Sequence, residues 1–183
     1  MVDEWVKDGD PEVLGEDQGN RKHFVLQPFK NLKTGKRKKY SILQVKKRSV
    51  VVFALTNDMN VVTIKQFRFG SGKIHTELPA GNIDDGEDIL TCADRELLEE
   101  TGHKAGKLIQ LSGALWSDPA CLDGFFYPVL ALDCEKFQDQ NLDSNEEIDC
   151  NLIPLWKWFN MIKSGEVDGT FAVATTYLAT LHI

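Results

Sequence analysis

The stretch GNIDDGEDILTCADRELLEETGH, residues 81–103, decides the fold and concentrates acidic charge. It places Glu96, Glu99 and Glu100 within five positions of one another. Residues three and four apart are neighbours on a helix surface, and like charges at that spacing repel each other. If the stretch is helical, these carboxylates therefore need a positive partner.

Helix signals lie at both ends of this stretch. Acidic residues begin it and Gly102 follows as a stop, so we predict a helix over residues 87–101. Arg95 lies one turn before Glu99 and can reach back towards Glu87, where it would brace the carboxylates. At about 100° per residue, an apolar stripe for packing on a sheet is formed by Ile89, Leu90, Ala93 and Leu97.

Two interpretations of the acidic stripe are open. A solvated acidic face is the commoner origin of such clusters, because charged residues are mostly exposed. The position favours a bound cation instead, because the C-terminal end of a helix dipole disfavours anions. Mg²⁺ takes carboxylate and carbonyl oxygens and retains waters for substrate phosphates. The pattern therefore indicates a magnesium site, at which Mn²⁺ is a possible substitute.

Length, charge and cysteine spacing limit the class of protein. A chain of 183 residues that is 42% hydrophobic has the size and composition of a single domain. The net charge of -7 argues against nucleic acid or a membrane surface as partner and favours a small molecule. The first residues carry charges and no long apolar run, so we expect a cytoplasmic location. The four cysteines are widely spaced and are expected to be reduced thiols.

Strand patterns precede and follow the predicted helix. The first four runs pair into two hairpins across short turns. Pro128 in the last run suggests an edge strand or a bulge. Two further helices are predicted, one from Pro154 to Gly165 and one over roughly residues 170–181. This order predicts an α+β fold with a mixed sheet covered on both sides. The predicted strands cover residues 23–29, 39–45, 49–55, 61–67, 107–116 and 125–133.

The glycine and charged residues of the opening stretch are separated by defined numbers of residues. The pattern resembles the Nudix box, G-x5-E-x7-R-E-U-x-E-E-x-G-U, in which U is aliphatic. His103 is the one departure, and we interpret it as a packed or surface residue rather than a ligand. The resemblance implies a Nudix-type α/β/α sandwich with a mixed sheet, as a single domain over residues 1–183. The matching residues are Gly81, Glu87, Arg95, Glu96, Leu97, Glu99, Glu100 and Gly102.

The resemblance also implies Mg²⁺-dependent hydrolysis of a nucleoside diphosphate linked to another group. By their positions in the box, Glu96 and Glu100 would be the principal metal ligands. Glu99 would be a further ligand or would position a catalytic water, and the backbone carbonyl of Ala80 would complete the set. A water bound to such a metal becomes a better nucleophile because its pKa falls.

A second acidic cluster lies at residues 143–149, in a polar stretch that we predict to be a loop. The reaction needs a carboxylate that accepts a proton from water. Loops at this place in ADP-ribose pyrophosphatase-like Nudix proteins deliver such a glutamate, so the resemblance suggests Glu146 or Glu147 as catalytic residue. The sequence leaves the choice between them open, and a solvated loop is the alternative.

Three features outside the box resemble the branch of ADP-ribose and nucleotide-sugar pyrophosphatases. They are IKQFRFG at 64–70, HTELPAG at 75–81, and Pro119, 16 residues after His103. Arg68 in the first is available to bind a substrate phosphate. The implied products are a nucleoside monophosphate and a sugar phosphate. The alternatives are a pyrophosphatase of nucleoside triphosphates or CoA-type dinucleotides, and a non-catalytic nucleotide-sensing module.

The N-terminal segment, residues 1–45, is expected to take part in a homodimer. In the branch, such a segment often crosses to the partner subunit and supplies an aromatic residue for the substrate base, which suggests Trp5 as a binding residue. Packing of Trp5 on its own domain is the alternative. Arg48 is a candidate for drawing in an anionic substrate, against the alternative of a solvated strand face. We predict as core residues Trp116, Trp156 and Trp158.

Overall fold

The structure, a computed structural model, describes residues 4–17, 22–144 and 146–183. The described residues divide into two compact units. One unit draws on residues 1–48 and 116–125, and the other on residues 49–115 and 126–183. In the described ranges, no helix has both the length and the apolar character that crossing a membrane requires.

The elements are listed here in chain order. The strands are β1 (Trp5–Lys7), β2 (Glu12–Glu16), β3 (Lys22–Asn31), β4 (Arg37–Val45), β5 (Ser49–Thr56), β6 (Asn60–Arg68), β7 (Lys73–Glu77), β8 (Ala80–Asn82), β9 (His103–Lys104), β10 (Lys107–Gln110), β11 (Leu115–Trp116), β12 (Leu122–Asp123), β13 (Phe125–Lys136) and β14 (Ile148–Pro154). The helices are α1 (Ile89–Thr101), α2 (Leu155–Ser164) and α3 (Thr170–Ala179).

The first unit is a small sheet around the predicted hairpin of β3 and β4. β1 and β2 pair antiparallel with β3, and β12 pairs parallel with β4. The hairpin turn is fixed by the Asn31 side chain, whose Oδ1 accepts the backbone N–H groups of Lys33 at 3.0 Å and Thr34 at 2.7 Å. Gly35 completes the turn at a φ of 69°, a left-handed conformation that glycine adopts at little cost.

The second unit contains the mixed sheet that the sequence predicts. Its strand order is β10-β13-β5-β6-β14, with β13 parallel to β5 and the other neighbours antiparallel. β7 extends the β6 hairpin, and β8 pairs with β5. Because β8 leads directly towards α1, this pairing fixes the start of the Nudix-like stretch against the central strand.

Side chains of β5 alternate between two hydrophobic layers. Val50, Val52 and Ala54 pack in one cluster with the apolar stripe of α1. Val51 and Phe53 pack in the other with residues of α2 and α3. Alternation with a period of two is what a strand buried on both faces produces. The second unit is therefore a sheet with helices on both sides, and the predicted α+β sandwich is confirmed.

Several details differ from the sequence predictions. The predicted loop of residues 143–149 ends earlier, because β14 begins at Ile148, and the predicted strand over residues 107–116 is the two short strands β10 and β11. Pro154 is the N-cap of α2 rather than its first residue.

α1 begins at Ile89 rather than at residue 87, because Asp88 has extended backbone angles and its side chain caps the N–H groups of the first turn. β13 is not an edge strand, since it lies between β10 and β5. Its irregularity occurs between Ala131 and Cys134 rather than at Pro128.

The tryptophan predictions were right at one position. Trp158 is fully buried, and its indole N–H donates to the hydroxyl of Thr176 at 3.0 Å. Trp116 is 53% exposed and Trp156 is 67% exposed, so neither is a core residue. Trp156 lies on α2 two positions before Trp158, about 200° around the helix, and therefore on its outer side.

Candidate active site

The last two turns of α1 present the carboxylates that the sequence singles out. Glu96 and Glu100 lie one turn apart on the buried side of the helix, with exposures of 9% and 3%. Glu99 points outward, and 37% of its side chain is exposed. Two of the three predicted metal-binding carboxylates are therefore buried in the protein, which is rare for acidic residues without a partner.

Glu100 connects the helix to β8. Its Oε2 accepts the backbone N–H of Ala80 at 2.9 Å. Burial raises the pKa of Glu100 to about 8, and the charges of Glu96 and Glu146 add to this effect, while the Ala80 N–H and the charge of Arg68 oppose it. A proton or a cation is thus needed to neutralise this carboxylate near pH 7.

Glu96 lies against the backbone of Gly81. A Cβ atom built at Gly81 would be 1.8 Å from Cδ of Glu96, so this glycine is required to make room for the carboxylate. Burial raises the pKa of Glu96, although a hydrogen bond from Arg95 lowers it. The position of the Glu96 carboxylate therefore depends on the absence of a side chain at Gly81, the first residue of the predicted box.

Arg95 is the cation that the structure places among these carboxylates. Its guanidinium donates to Glu87 at 2.8 and 2.9 Å, to Glu96 at 2.7 Å and to Glu99 at 3.0 Å. It also donates to the carbonyl of Asn82 at 3.1 Å. The hydrogen bond from Arg95 holds the pKa of Glu87 down at about 2. As predicted, Arg95 braces the carboxylates, and its contacts with Asn82 and Glu87 also join the loop to the helix.

The donor set suits a hard divalent cation. Carboxylate oxygens are the ligands that Mg²⁺ and Mn²⁺ take, and Glu96 and Glu100 present them one helical turn apart. Across the described ranges, no three acidic, histidine or cysteine side chains already converge as a metal-ligand cluster. The reason is visible in the contacts, because Arg95 holds Glu96 and Glu99 while Glu100 turns to Ala80. Ligation by all of them would require these side chains to reorient.

The loop between β13 and β14 distinguishes the two candidate bases. Glu146 is half-buried, and its charge contributes to the raised pKa of both Glu96 and Glu100. Its Oε2 accepts the backbone N–H of Asp143 at 3.1 Å. Glu147 is exposed. The two glutamates therefore differ in exposure and in their electrostatic effect on the α1 carboxylates.

Arg68 also approaches this site. Its positive charge lowers the pKa of Glu100, and its Nε and Nη2 atoms donate to Glu77 Oε2 at 2.8 and 2.5 Å. Since 43% of the Arg68 side chain is exposed, it can also contact a substrate. Glu77 is a residue that the sequence analysis missed, although it begins the quoted ELPAG stretch.

The remaining substrate-binding candidates belong to the first unit. Trp5 is half-buried, and Lys38 Nζ lies 5.8 Å from the centroid of its ring. Arg48 donates to the carbonyl of Val45 at 2.6 Å, and its guanidinium lies 4.3 Å from the centroid of the Phe125 ring. Stacking of this kind is typical of arginine and holds its side chain in one direction.

His103, the departure from the box, is buried at 5% exposure. Its Nδ1 lies 3.0 Å from the carbonyl of Thr101, and burial lowers its pKa. His103 is therefore a packed residue, as predicted, and it begins β9 immediately after the helix.

Comparison with known proteins agrees with this geometry. A family model described as the NUDIX domain matches residues 45–167. The chain belongs to the Nudix family. It is accordingly a Nudix hydrolase, and Nudix hydrolases generally use a divalent metal ion, which agrees with the buried carboxylates of α1.

Several relatives are named as pyrophosphatases. The ADP-ribose pyrophosphatase of Bacillus subtilis is 32% identical over 132 residues, which are 71% of this chain and 71% of that protein. The GDP-mannose pyrophosphatase of Escherichia coli is 29% identical over 141 residues, 70% of this chain and 71% of that protein. The predicted resemblance to the ADP-ribose and nucleotide-sugar branch is confirmed by these relatives.

A solved Nudix-fold structure extends the likeness to almost the whole chain. It is described as a crystal structure of an ADP compounds hydrolase, and it matches with a TM-score of 0.81. The match covers 98% of this chain and 93% of that chain at 19% identity. At this identity the likeness shows the fold alone.

A second polar cluster in this Nudix chain has the connectivity of an acyl-transfer triad. The Ser71 hydroxyl lies 2.6 Å from His75 Nε2, and His75 Nδ1 lies 2.9 Å from Asp168. An acyl-transfer site also needs N–H donors aimed at an oxyanion. The N–H groups of Ser71 and Gly72 instead donate to the carbonyl of Arg68, as does the Ser71 hydroxyl. The cluster therefore stabilises the turn after Arg68.

Proposed function

We propose that this Nudix hydrolase cleaves the diphosphate of ADP-ribose or of another nucleoside diphosphate sugar, with Mg²⁺ as its natural metal and Mn²⁺ as a substitute. The products are a nucleoside monophosphate and a sugar phosphate. The observation that carries the proposal is the burial of Glu96 and Glu100, one turn apart, against the strand that contains Ala80. The names of the relatives supply the substrate class.

Metal binding is proposed for the α1 carboxylates and the neighbouring strand. Glu96 and Glu100 would be the principal ligands, Glu99 a further ligand, and the Ala80 carbonyl the backbone ligand. A bound divalent cation supplies charge neutralisation at the diphosphate and a more acidic water. Arg95 would then retain its contacts with Glu87, which keep the loop attached to the helix.

The catalytic base is proposed to be Glu146. Water attacks one phosphorus of the diphosphate, the bond from that phosphorus to the bridging oxygen breaks, and the proton of the water passes to the base. The half-buried position of Glu146 and its electrostatic coupling to Glu96 and Glu100 support this assignment over Glu147. Glu99 is the remaining candidate for positioning the water.

Substrate binding is proposed for Arg68, with contributions from Arg48 and Trp5. Arg68 presents a planar guanidinium suited to a phosphate, and its contact with Glu77 fixes its direction. We further propose that residues 1–183 act as one Nudix hydrolase domain in the cytoplasm, and that residues 1–45 take part in a homodimer. Trp5 would stack on the nucleotide base.

A substrate panel tests the function. Purified protein with MgCl₂ is incubated with ADP-ribose, ADP-glucose, GDP-mannose, dATP and CoA, and the released phosphate monoesters are quantified. The expected result is that a sugar-linked diphosphate has the highest kcat/KM and gives a nucleoside monophosphate. Dominant turnover of dATP or CoA would overturn the proposed substrate class. Tight binding of a nucleotide sugar without turnover would indicate the non-catalytic alternative.

A further inference from the structure

The carbonyl groups at the end of α1 are bound by the segment that leads to the Glu146 loop. The Glu99 carbonyl accepts the backbone N–H of Asn141 at 2.9 Å, and the Thr101 carbonyl accepts Lys136 Nζ at 3.1 Å. The Glu100 carbonyl accepts the side-chain amide of Gln140. The final carbonyls of a helix lack partners within the helix, so these donors satisfy groups that would otherwise need water.

Gln140 makes a second contact of the same kind. Its amide nitrogen also donates to the carbonyl of Ile148 at 3.2 Å. Gln140 lies between the end of β13 and Glu146, and Ile148 is the first residue of β14. The Gln140 side chain therefore joins the two ends of the loop to each other and to the backbone of Glu100, whose carboxylate is a proposed metal ligand.

Glu146 lies within the loop that this amide closes. Its Oε2 accepts the N–H of Asp143 inside the loop at 3.1 Å. The position of the loop relative to α1 thus depends on its two ends, which are held by the Asn141 N–H and by the Gln140 amide.

We propose that Gln140 is a positioning residue that holds the Glu146 carboxylate at the α1 site. This inference rests on the proposed function, in which Glu146 takes a proton from the attacking water. Displacement of a catalytic group by about 1 Å can lower the reaction rate by about 10². A contact that fixes the ends of the loop carrying this group should therefore have a measurable effect on kcat.

The chemistry of the side chain explains the choice of glutamine. Its NH₂ group offers two N–H donors, and both acceptors here are backbone carbonyl oxygens. A glutamate of nearly the same shape offers no donor and places negative charge against both carbonyls. Leucine has a similar volume and neither donor nor charge. Gln140→Glu and Gln140→Leu therefore remove the contacts in two different ways.

The experiment is a double-mutant cycle with Glu146→Gln on the full chain, with ADP-ribose and MgCl₂. We expect Gln140→Leu and Gln140→Glu to lower kcat by about 10²-fold, with KM unchanged and without weakening of Mn²⁺ binding. In the Glu146→Gln background, the same substitutions should lower kcat no further, because the group they position has lost its function. Gln138→Leu is the matched control, because its side chain is exposed and Gln138 contacts Gly102 through its backbone N–H.

Several outcomes would overturn the proposal. Equal losses of kcat in the wild-type and Glu146→Gln backgrounds would show that Gln140 acts elsewhere. A weakened Kd for Mn²⁺ would show that it acts through Glu100. Wild-type kcat in both Gln140 variants would show that the contact is not needed.

Hydrogen exchange provides a readout that does not depend on turnover. Peptides covering residues 141–147 should exchange faster in Gln140→Leu than in Gln138→Leu, while peptides of α1 and β5 stay protected. Unchanged exchange in the loop would overturn the proposal. Lack of turnover of every sugar-linked diphosphate by the wild-type protein, with the loop exchange altered as expected, would reject the proposed function and leave the loop contact established.

Discussion

Glu100 and Ala80 are joined by a hydrogen bond of 2.9 Å from the backbone N–H of Ala80 to the Glu100 carboxylate. This contact links the last turn of α1 to the strand before it, and Glu100 is buried there at 3% exposure. Because burial raises the pKa of Glu100 to about 8, the cation-free protein holds a proton there at neutral pH. Protonation and cation binding therefore compete for one group.

The first prediction concerns this competition. A divalent cation needs the ionised carboxylate, so binding of Mg²⁺ or Mn²⁺ should release a proton from Glu100, and its affinity should rise from pH 6 to pH 8. Calorimetry at pH 7 in two buffers of different ionisation enthalpy measures the proton released. Glu100→Gln should release none from this position and should lower turnover by at least about 10²-fold, since metal-assisted charge stabilisation contributes several kcal/mol. Equal proton release by the two proteins would contradict the assignment.

The stability of the cation-free protein should also depend on pH through the raised pKa of Glu100. The folded protein binds the Glu100 proton more tightly than the unfolded chain, whose glutamates titrate near the ordinary value of 4.5. This contribution to stability is therefore fully present below pH 4.5 and is lost as the pH rises through about 8. Urea unfolding in EDTA between pH 4.5 and about 8 measures this loss of stability. The Glu100→Gln variant should not show it.

The second prediction concerns Arg95, which contacts three carboxylates. Arg95→Gln should lower the free energy of unfolding by about 1–3 kcal/mol, because hydrogen bonds to charged groups are lost and Glu96 stays buried without its partner. Adding MgCl₂ should stabilise this variant more than the wild-type protein, since the cation replaces the missing charge. Urea unfolding with and without MgCl₂ measures both effects, with Lys107→Gln as an exposed control. An unchanged free energy of unfolding would show that the carboxylates do not need Arg95.

The third prediction uses the contact between Gly81 and Glu96. Gly81→Ala would place Cβ 1.8 Å from Cδ of Glu96, so the carboxylate must move away from the strand. We expect a folded protein with weaker Mn²⁺ binding and a rate lower by about 10² or more, because a 1 Å displacement of a site residue has that effect. Gly113→Ala is the matched control, because a Cβ there meets no atom within 4 Å. Equal Kd values for Mn²⁺ in the two variants would contradict the coupling.

The sequence predicted the regular elements because their signals are local. β-branched runs around short turns predict the β3–β4 and β5–β6 hairpins, and Gly102 and Gly165 mark the ends of α1 and α2, where both have positive φ. Several other strands were missed, among them β14 with seven residues. β8 has three residues and is held by its register with Ser49–Val51, which is a tertiary contact without a local pattern.

The same distinction applies to the candidate site. The α1 residues occupy fixed positions in the Nudix box, so their identity followed from spacing. The amide of Gln140 reaches the Glu100 carbonyl across 40 positions of sequence, and Arg68 reaches Glu77 across a hairpin turn. Neither pairing has a spacing signature. For this reason the sequence could not choose between adjacent Glu146 and Glu147, which differ in the structure in that Glu146 is half-buried and Glu147 exposed.

The last prediction compares these adjacent glutamates, which differ in environment and not in chemistry. Glu146→Gln should lower kcat by about 10²–10⁴, the typical contribution of a positioned base. Glu147→Gln should leave kcat close to the wild-type value, because this side chain is exposed. The Glu146 charge raises the pKa values of Glu96 and Glu100, so its loss should lower both. Cation binding at pH 7 should therefore release fewer protons in Glu146→Gln than in Glu147→Gln. If Glu147→Gln instead gave the large loss in kcat, Glu147 would be the base, and the loop would have to change conformation during catalysis to bring Glu147 to the site.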